Sequence, residues 1–301
     1  MYAPRALLVS FASVAGVVVT AAVTGCGASS PRSGYDDTPE QTKDQENTAP
    51  PAPSGDFDKN KPAPPAVNPA EVNEVFGHSS KTLFRLDPKT KAVTEVGNFS
   101  GCGPVIDIAL DETSTIYATS YESLYTVDKV TAKCTEISSG SYPNSLSFVP
   151  KGTALPNAEA LVGYDGSDYV RIDTTTGAKT KIGSLGGGFV SSGDIVSVKG
   201  GKTYLTVKGG ACSTKDCLVE VDPANGSLVK NWGSIEHKAV FGLSFWAGKV
   251  YGFSEGGDLF EVTFGTSQLA TVLIPIPSKP AGLSFWGAGS STSAPLVETA
   301  K

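Results

Sequence analysis

The sequence predicts an all-β protein: a five-bladed β-propeller with four-stranded blades, closed by pairing of the C-terminal strand with the N-terminal blade. Three observations predict it. A strand–turn–strand unit recurs five times, as LFRLDPKTKAVTEVG, LYTVDKVTAKCTEIS, YVRIDTTTGAKTKIG, LVEVDPANGSLVKNWG and LFEVTFGTSQLATVL. Two further apolar strands precede every unit except the first, which has one. The stretch GLSFW occurs twice, at 242–246 and 282–286, and the second copy has no strands after it to bury it.

In chain order, the first element is not part of this body. Arg5 precedes an apolar run from Ala6 to Val23 that ends in VTGC. A charged start, an apolar core and small residues before a cut site describe an export signal. VTGC resembles a bacterial lipobox, which implies cleavage before Cys26 and a lipid on that cysteine. Residues 1–25 are then the signal peptide. Residues 26–70 are dominated by Pro, Ser, Asp, Glu, Lys and Gln, and bury too little apolar surface to offset ordering entropy, so a disordered tether is expected. The propeller is expected over 71–289 and a flexible tail over 290–301.

Each repeat unit opens with an alternating strand and reaches Asp87, Asp128, Asp173 or Asp222, with Thr263 in the fifth place. Aspartate suits such turns because its side chain accepts backbone N–H groups two residues on. The intervals of 41 to 49 residues, with four strands in each, match a propeller blade. The 34 glycines and 20 prolines fit that many turns. No useful helical period is present. The incomplete first unit begins at NEVFGHS (73–79), which matches KVYGFSE (249–255) of the last. The spare GLSFW (282–286) is therefore expected beside it, supplying the missing innermost strand and leaving no open inner edge.

Charge and cysteines narrow the function. The formal net charge is −6 and there is no basic stripe, so no nucleic-acid partner is expected. Apart from Cys26, four cysteines remain, an even number that favours disulfides in an exported chain. Cys212 and Cys217 share the short polar loop ACSTKDC, which leaves Cys102 and Cys134 as the other pair. Their spacing is not that of a zinc site, and His78 and His237 lie apart, so no metal is expected.

The phrases DIALDETSTIYATS…LYTVD and LFRLDPKTKAVTEVG resemble bacterial extracellular propeller repeats of the pattern LYxIDPxTGxxTxIG, relatives of NHL-like and quinoprotein-like repeats. The resemblance spans residues 73–287. It implies the propeller, and hosts that include binding proteins, lactonases and lipoproteins. The Trp docking pattern of quinoprotein blades is not repeated here, so no cofactor is expected.

Ligands of propellers gather where the innermost strands begin. Aligning those strands puts Asp107, Ser145, Asp194, Gly242 and Gly282 at one position. Asp107 and Asp194 are thus the candidate catalytic carboxylates, for acid–base work or a divalent cation, against the alternative that each merely caps its strand. Tyr121, Glu122, Tyr142, Tyr164 and Asp165 fall in predicted loops of the same face, where tyrosines beside carboxylates suit a sugar, peptide or protein. YDGSD (164–168) lacks a twelve-residue calcium loop and reads as a hairpin turn. His78 is expected to be packed. The expectation is a monomeric, lipid-anchored envelope protein, its outer-membrane destination suggested by Gly27 and Ala28 in place of an Asp retention signal. It binds or scaffolds a protein or glycan; the alternative is a propeller glycosidase or lactonase.

Overall fold

The computed structural model describes residues 74–298. The expected signal peptide, lipidation at Cys26 and tether lie outside the described residues. Blade 1 contributes β1 (Val75–His78), β2 (Thr82–Leu86) and β3 (Val93–Asn98). Blade 2 is β4 (Asp107–Leu110), β5 (Ile116–Thr119), β6 (Ser123–Val127) and β7 (Cys134–Ser139). Blade 3 is β8 (Leu146–Val149), β9 (Ala160–Asp165), β10 (Asp168–Ile172) and β11 (Lys179–Ser184). Blade 4 is β12 (Val190–Ser197), β13 (Thr203–Gly209), β14 (Cys212–Val221) and β15 (Leu228–Ser234). Blade 5 is β16 (Val240–Trp246), β17 (Lys249–Ser254), β18 (Leu259–Phe264) and β19 (Leu269–Ile274). The last strand, β20 (Gly287–Ser290), pairs antiparallel with β1 and completes blade 1 in the order β20-β1-β2-β3. The inner strands β20, β4, β8, β12 and β16 neighbour one another in that order, and β16 returns to β20, so the ring is closed.

Alternating strands bury both faces of each blade, and the core divides accordingly into five seams, one per blade junction. Phe76 and Leu83 of blade 1 pack with Ile108, Ile116 and Tyr125 of blade 2. Ala109 and Leu124 meet Leu146, Phe148 and Leu161 of blade 3. Val162, Tyr164 and Tyr169 meet Leu205, Val207 and Val219 of blade 4. Tyr204 and Leu218 meet Leu243, Phe245 and Phe260 of blade 5. Tyr251, Phe253 and Leu259 close the circle on Val75, Phe84 and Phe285.

The aspartate turns form as the repeat predicts. Asp87, Asp128 and Asp173 each accept two backbone N–H groups, from Lys89 and Thr90, Val130 and Thr131, and Thr175 and Thr176. Those N–H groups hold the three carboxyls below the ordinary aspartate range. Asp222 accepts from Ala224 at 2.8 Å. Both expected disulfides are present, Cys102–Cys134 and Cys212–Cys217. The first ties the β3–β4 connection to β7; the second pins the start of β14.

The closing strand corrects one expectation. GLSFW (282–286) is not the inner strand; Gly287-Ala288-Gly289-Ser290 is, five residues on. Crowding at the axis is the reason. A Cβ at Gly289 would lie 2.8 Å from Leu110 Cδ1, and one at Gly287 would lie 2.3 Å from His78 Nε2. GLSFW in that register would put the Cβ of Ser284 against Leu110. Instead the segment packs beneath the strand: Phe285 is fully buried, edge-on to Phe84 and Phe253, and Trp286 N–H donates to His78 C=O at 2.7 Å. The propeller also runs past residue 289, where the tail was expected to begin. Ser291 and Thr292 are buried, Lys199 N–H donates to Thr292 C=O, and Leu296 lies over Gly200 and Gly201.

Truncating Phe285 to alanine removes the ring that anchors the C-terminal segment in the closure seam. Such core deletions cost about 3–5 kcal/mol. Thermal unfolding of the variant should remain one cooperative transition at a much lower midpoint; an unchanged midpoint would show that the termini do not hold the ring.

Candidate functional site at the propeller axis

The register of the inner strands places Gly287, Asp107, Ser145, Asp194 and Gly242 at one level around the axis, with Gly287 where the sequence alignment expects Gly282. Three small residues leave room for two carboxyl groups, and both carboxylates turn inward. Asp107 and Asp194 are fully buried and hydrogen-bonded to each other.

Their remaining partners are backbone donors. Asp107 accepts from Ile108 N–H at 2.8 Å and from Leu146 N–H at 2.7 Å. Asp194 accepts from Ile195 N–H and Leu243 N–H, both at 2.6 Å, and from Ala288 N–H. Ile108, Leu146, Ile195, Leu243 and Ala288 belong to blades 2, 3, 4, 5 and 1. One N–H from every blade therefore converges on the pair.

Burial pushes both carboxyls well above the ordinary aspartate range, and the charge of Asp194 raises Asp107 further. Two adjacent carboxylates in a dry site cannot both ionise. Their mutual hydrogen bond raises Asp107 and lowers Asp194, so Asp107 is the donor and holds its proton the more tightly, while Asp194 has the larger set of backbone donors. An ion accepting several N–H groups is stabilised by them, so Asp194, with three such donors, is the member of the pair that ionises first.

His78 was missed as part of this group. Its Nδ1 donates to Ser79 C=O at 2.9 Å, and burial lowers its pKa to about 4, so the ring is neutral. Its Nε2 has no hydrogen-bond partner among the described residues and faces the same space as Asp107 Oδ1: a Cβ at Gly287 would touch both. The sequence signal was its alignment with Thr119, Tyr164, Thr206 and Phe253, where only blade 1 carries an imidazole.

The predicted loop residues divide. Tyr121 is 69% exposed in the β5–β6 turn, and Glu122 and Asp165 are also exposed on the face where inner strands begin. Tyr142 and Tyr164 are buried instead, because each phenol reaches across a seam to a turn carbonyl: Tyr142 to Gly177 at 3.1 Å and Tyr164 to Gly226 at 2.6 Å. They staple blades and offer no surface to a ligand. YDGSD forms the β9–β10 hairpin. On the opposite face a cavity of about 370 Å³ lies between the β2–β3 turn, the β16–β17 turn and the C-terminal segment, lined by Lys89, Lys91, Trp246, Lys249, Glu261 and Glu298. Nothing in the spacing of these residues announces it, since blade closure brings them together. No group of three or more metal-binding side chains occurs among the described residues.

The acid pair makes stability depend on pH with a definite sign. A carboxyl whose folded pKa is raised binds its proton more tightly when folded. Its contribution is complete below the unfolded aspartate value near 4 and falls as pH rises, by about 1.4 kcal/mol per pH unit for one proton. His78 works in the opposite sense: its folded pKa is lowered to about 4, so between there and the ordinary histidine value the unfolded chain binds the extra proton and stability rises with pH, equally in wild type and Asp107→Asn. Asp107→Asn keeps a donor toward Asp194 but leaves one backbone N–H facing an amide, costing about 1–3 kcal/mol. Denaturant unfolding of both proteins from pH 5 to 9 should show the wild type losing its advantage as pH rises. A constant difference would contradict a shared proton.

No family model matches the chain, and no curated protein matches it. Similar solved structures include Kuenenia stuttgartiensis hydrazine synthase, at 14% identity and TM-score 0.38, covering 66% of this chain. The match spans 61% of the hydrazine synthase chain. A protein of unknown function from Bacteroides caccae is 12% identical with TM-score 0.42, covering 72% of this chain and 98% of that one. A chain of a nidogen/laminin complex is 14% identical with TM-score 0.41, covering 72% and 97%.

Proposed function

We propose that this chain is a lipid-anchored protein of the bacterial cell envelope whose propeller is a non-catalytic binding or scaffolding module for a protein or glycan. The observation that carries the non-catalytic reading is the state of the two candidate acids. Asp107 and Asp194 are fully buried, and their oxygens are taken up by five backbone N–H groups and by each other. A general acid or base must reach the proton it transfers, directly or through one water. These carboxyls reach the backbone of all five blades.

The binding face is the one bearing Tyr121, Glu122 and Asp165, on adjacent blades 2 and 3. An exposed aromatic beside carboxylates suits a sugar ring or a peptide with basic groups. The anchor reading rests on VTGC at 23–26 and on the polar, proline-rich composition of 27–70. Two disulfides suit an oxidising compartment outside the cytoplasm. Gly27 and Ala28 favour the outer membrane where there are two membranes.

Glycan and peptide arrays probed with the full chain should give binding that Tyr121→Ala reduces at least about tenfold, the loss of 1.4 kcal/mol. Palmitate labelling in a bacterial host should disappear in Cys26→Ala. Turnover of glycoside or lactone substrates abolished by Asp107→Asn at a pH where the variant is folded would replace this reading with the hydrolase.

A further inference from the structure

Every blade of an open-edged propeller presents its outermost strand to solvent, and four of the five are guarded in the same way. The pairing registers identify equivalent positions. Glu95 opposite Phe84, Glu136 opposite Tyr125, Lys181 opposite Val170 and Asn231 opposite Val219 occupy one position on β3, β7, β11 and β15. Leu273, opposite Phe260, occupies it on β19 and is 58% exposed. The preceding position holds Thr94, Thr135, Thr180 and Lys230 on the four guarded edges, and Val272, 55% exposed, on the fifth. A register shift also interrupts each of the four guarded pairings, whereas β18–β19 is regular over six residue pairs. Charges and bulges are the devices by which sheets prevent edge-to-edge association. Blade 5 lacks both.

We propose that β19, Leu269–Ile274, is the interface between two copies of this chain, which join edge to edge as antiparallel strands across a two-fold axis. The choice of a second copy follows from charge. In a two-fold antiparallel pair a patch meets itself, so any charge on it meets or neighbours its own kind. Glu95, Glu136, the lysines of β11 and Lys230 set the other four edges against such pairing. LATVLI carries no charge, so two copies meet without repulsion and bury Val272 and Leu273. Pro275 and Pro277, which have no N–H to donate, end the ladder after Ile274 and limit growth beyond the pair. This state differs from the monomer the sequence suggests.

The test is cross-linking of the full chain expressed in its exported form. Val272→Cys and Leu273→Cys are made separately and treated with a short bismaleimide; Thr94→Cys, at the position on blade 1 equivalent to Val272, is the control. All three sites are exposed, so folding is not at issue. The proposal expects a species of twice the chain mass from at least one blade-5 variant, little from Thr94→Cys, and at least a fivefold loss of that species when Leu273→Lys is added to Val272→Cys. Equal yields from blade 1 and blade 5, no product of twice the mass, or a product containing a different protein would each overturn it. The last outcome would make β19 a docking edge for a foreign strand instead.

Discussion

The structure depends on one buried constraint: a single proton shared between Asp107 and Asp194, with one backbone N–H from each blade directed at the pair. A propeller has a geometric weakness at its axis, where five strand edges converge and their polar groups face a narrow space. In many small rings that space is left to solvent. Here it is filled by two acids, which gather five N–H groups from neighbouring edges onto one carboxyl pair, two on Asp107 and three on Asp194. The arrangement is cooperative, because no blade can leave without removing a donor from the buried pair. It explains why the other three positions at this level are glycine or serine, and why Gly287 has no room even for a methyl group.

The same constraint decides how the chain closes. The terminal strand must pass between the acid pair and Leu110 with almost no side-chain volume, and Gly287-Ala288-Gly289-Ser290 meets that requirement where GLSFW does not. The bulk of the closure is supplied just upstream, where Phe285 wedges between Phe84 and Phe253. Volume and hydrogen bonding are thus separated along residues 285–296: apolar anchoring first, then a slim strand that donates the Ala288 N–H to Asp194, then a segment that crosses the far mouth through Thr292 and Leu296.

Much of this was legible in the residues. The recurring strand–Asp-turn–strand unit predicts the blades, and the missing first strand predicts that the termini meet. The repeat of GLSFW misled on where they meet, because similarity between copies reports on an average blade and the closing strand answers to the axis. Tyr142 and Tyr164 read as loop residues since they flank Pro143 and an Asp-Gly turn; their phenols bond carbonyls in adjacent blades, which no local pattern encodes. Asp107 and Asp194 were visible as a like pair at like positions. That they share a proton required knowing that the ring brings residues 87 apart in sequence into contact. The bare edge of blade 5 was hidden for a further reason: the β18–β19 connection is two residues longer than that of blade 1, 273 − 260 = 13 against 95 − 84 = 11, so Leu273 lines up with Glu95 in space but not in sequence.

The central claim is that one aspartic acid at the axis stays protonated at neutral pH. Difference infrared spectroscopy of protein carrying carbon-13 at the aspartate carboxyl reads it directly. Wild type minus Asp107→Asn at pH 7 should contain the carbonyl stretch of a protonated carboxylic acid, shifted by the isotope and insensitive to solvent deuteration on the timescale of minutes. A difference spectrum showing only the loss of an ionised carboxylate would contradict the account.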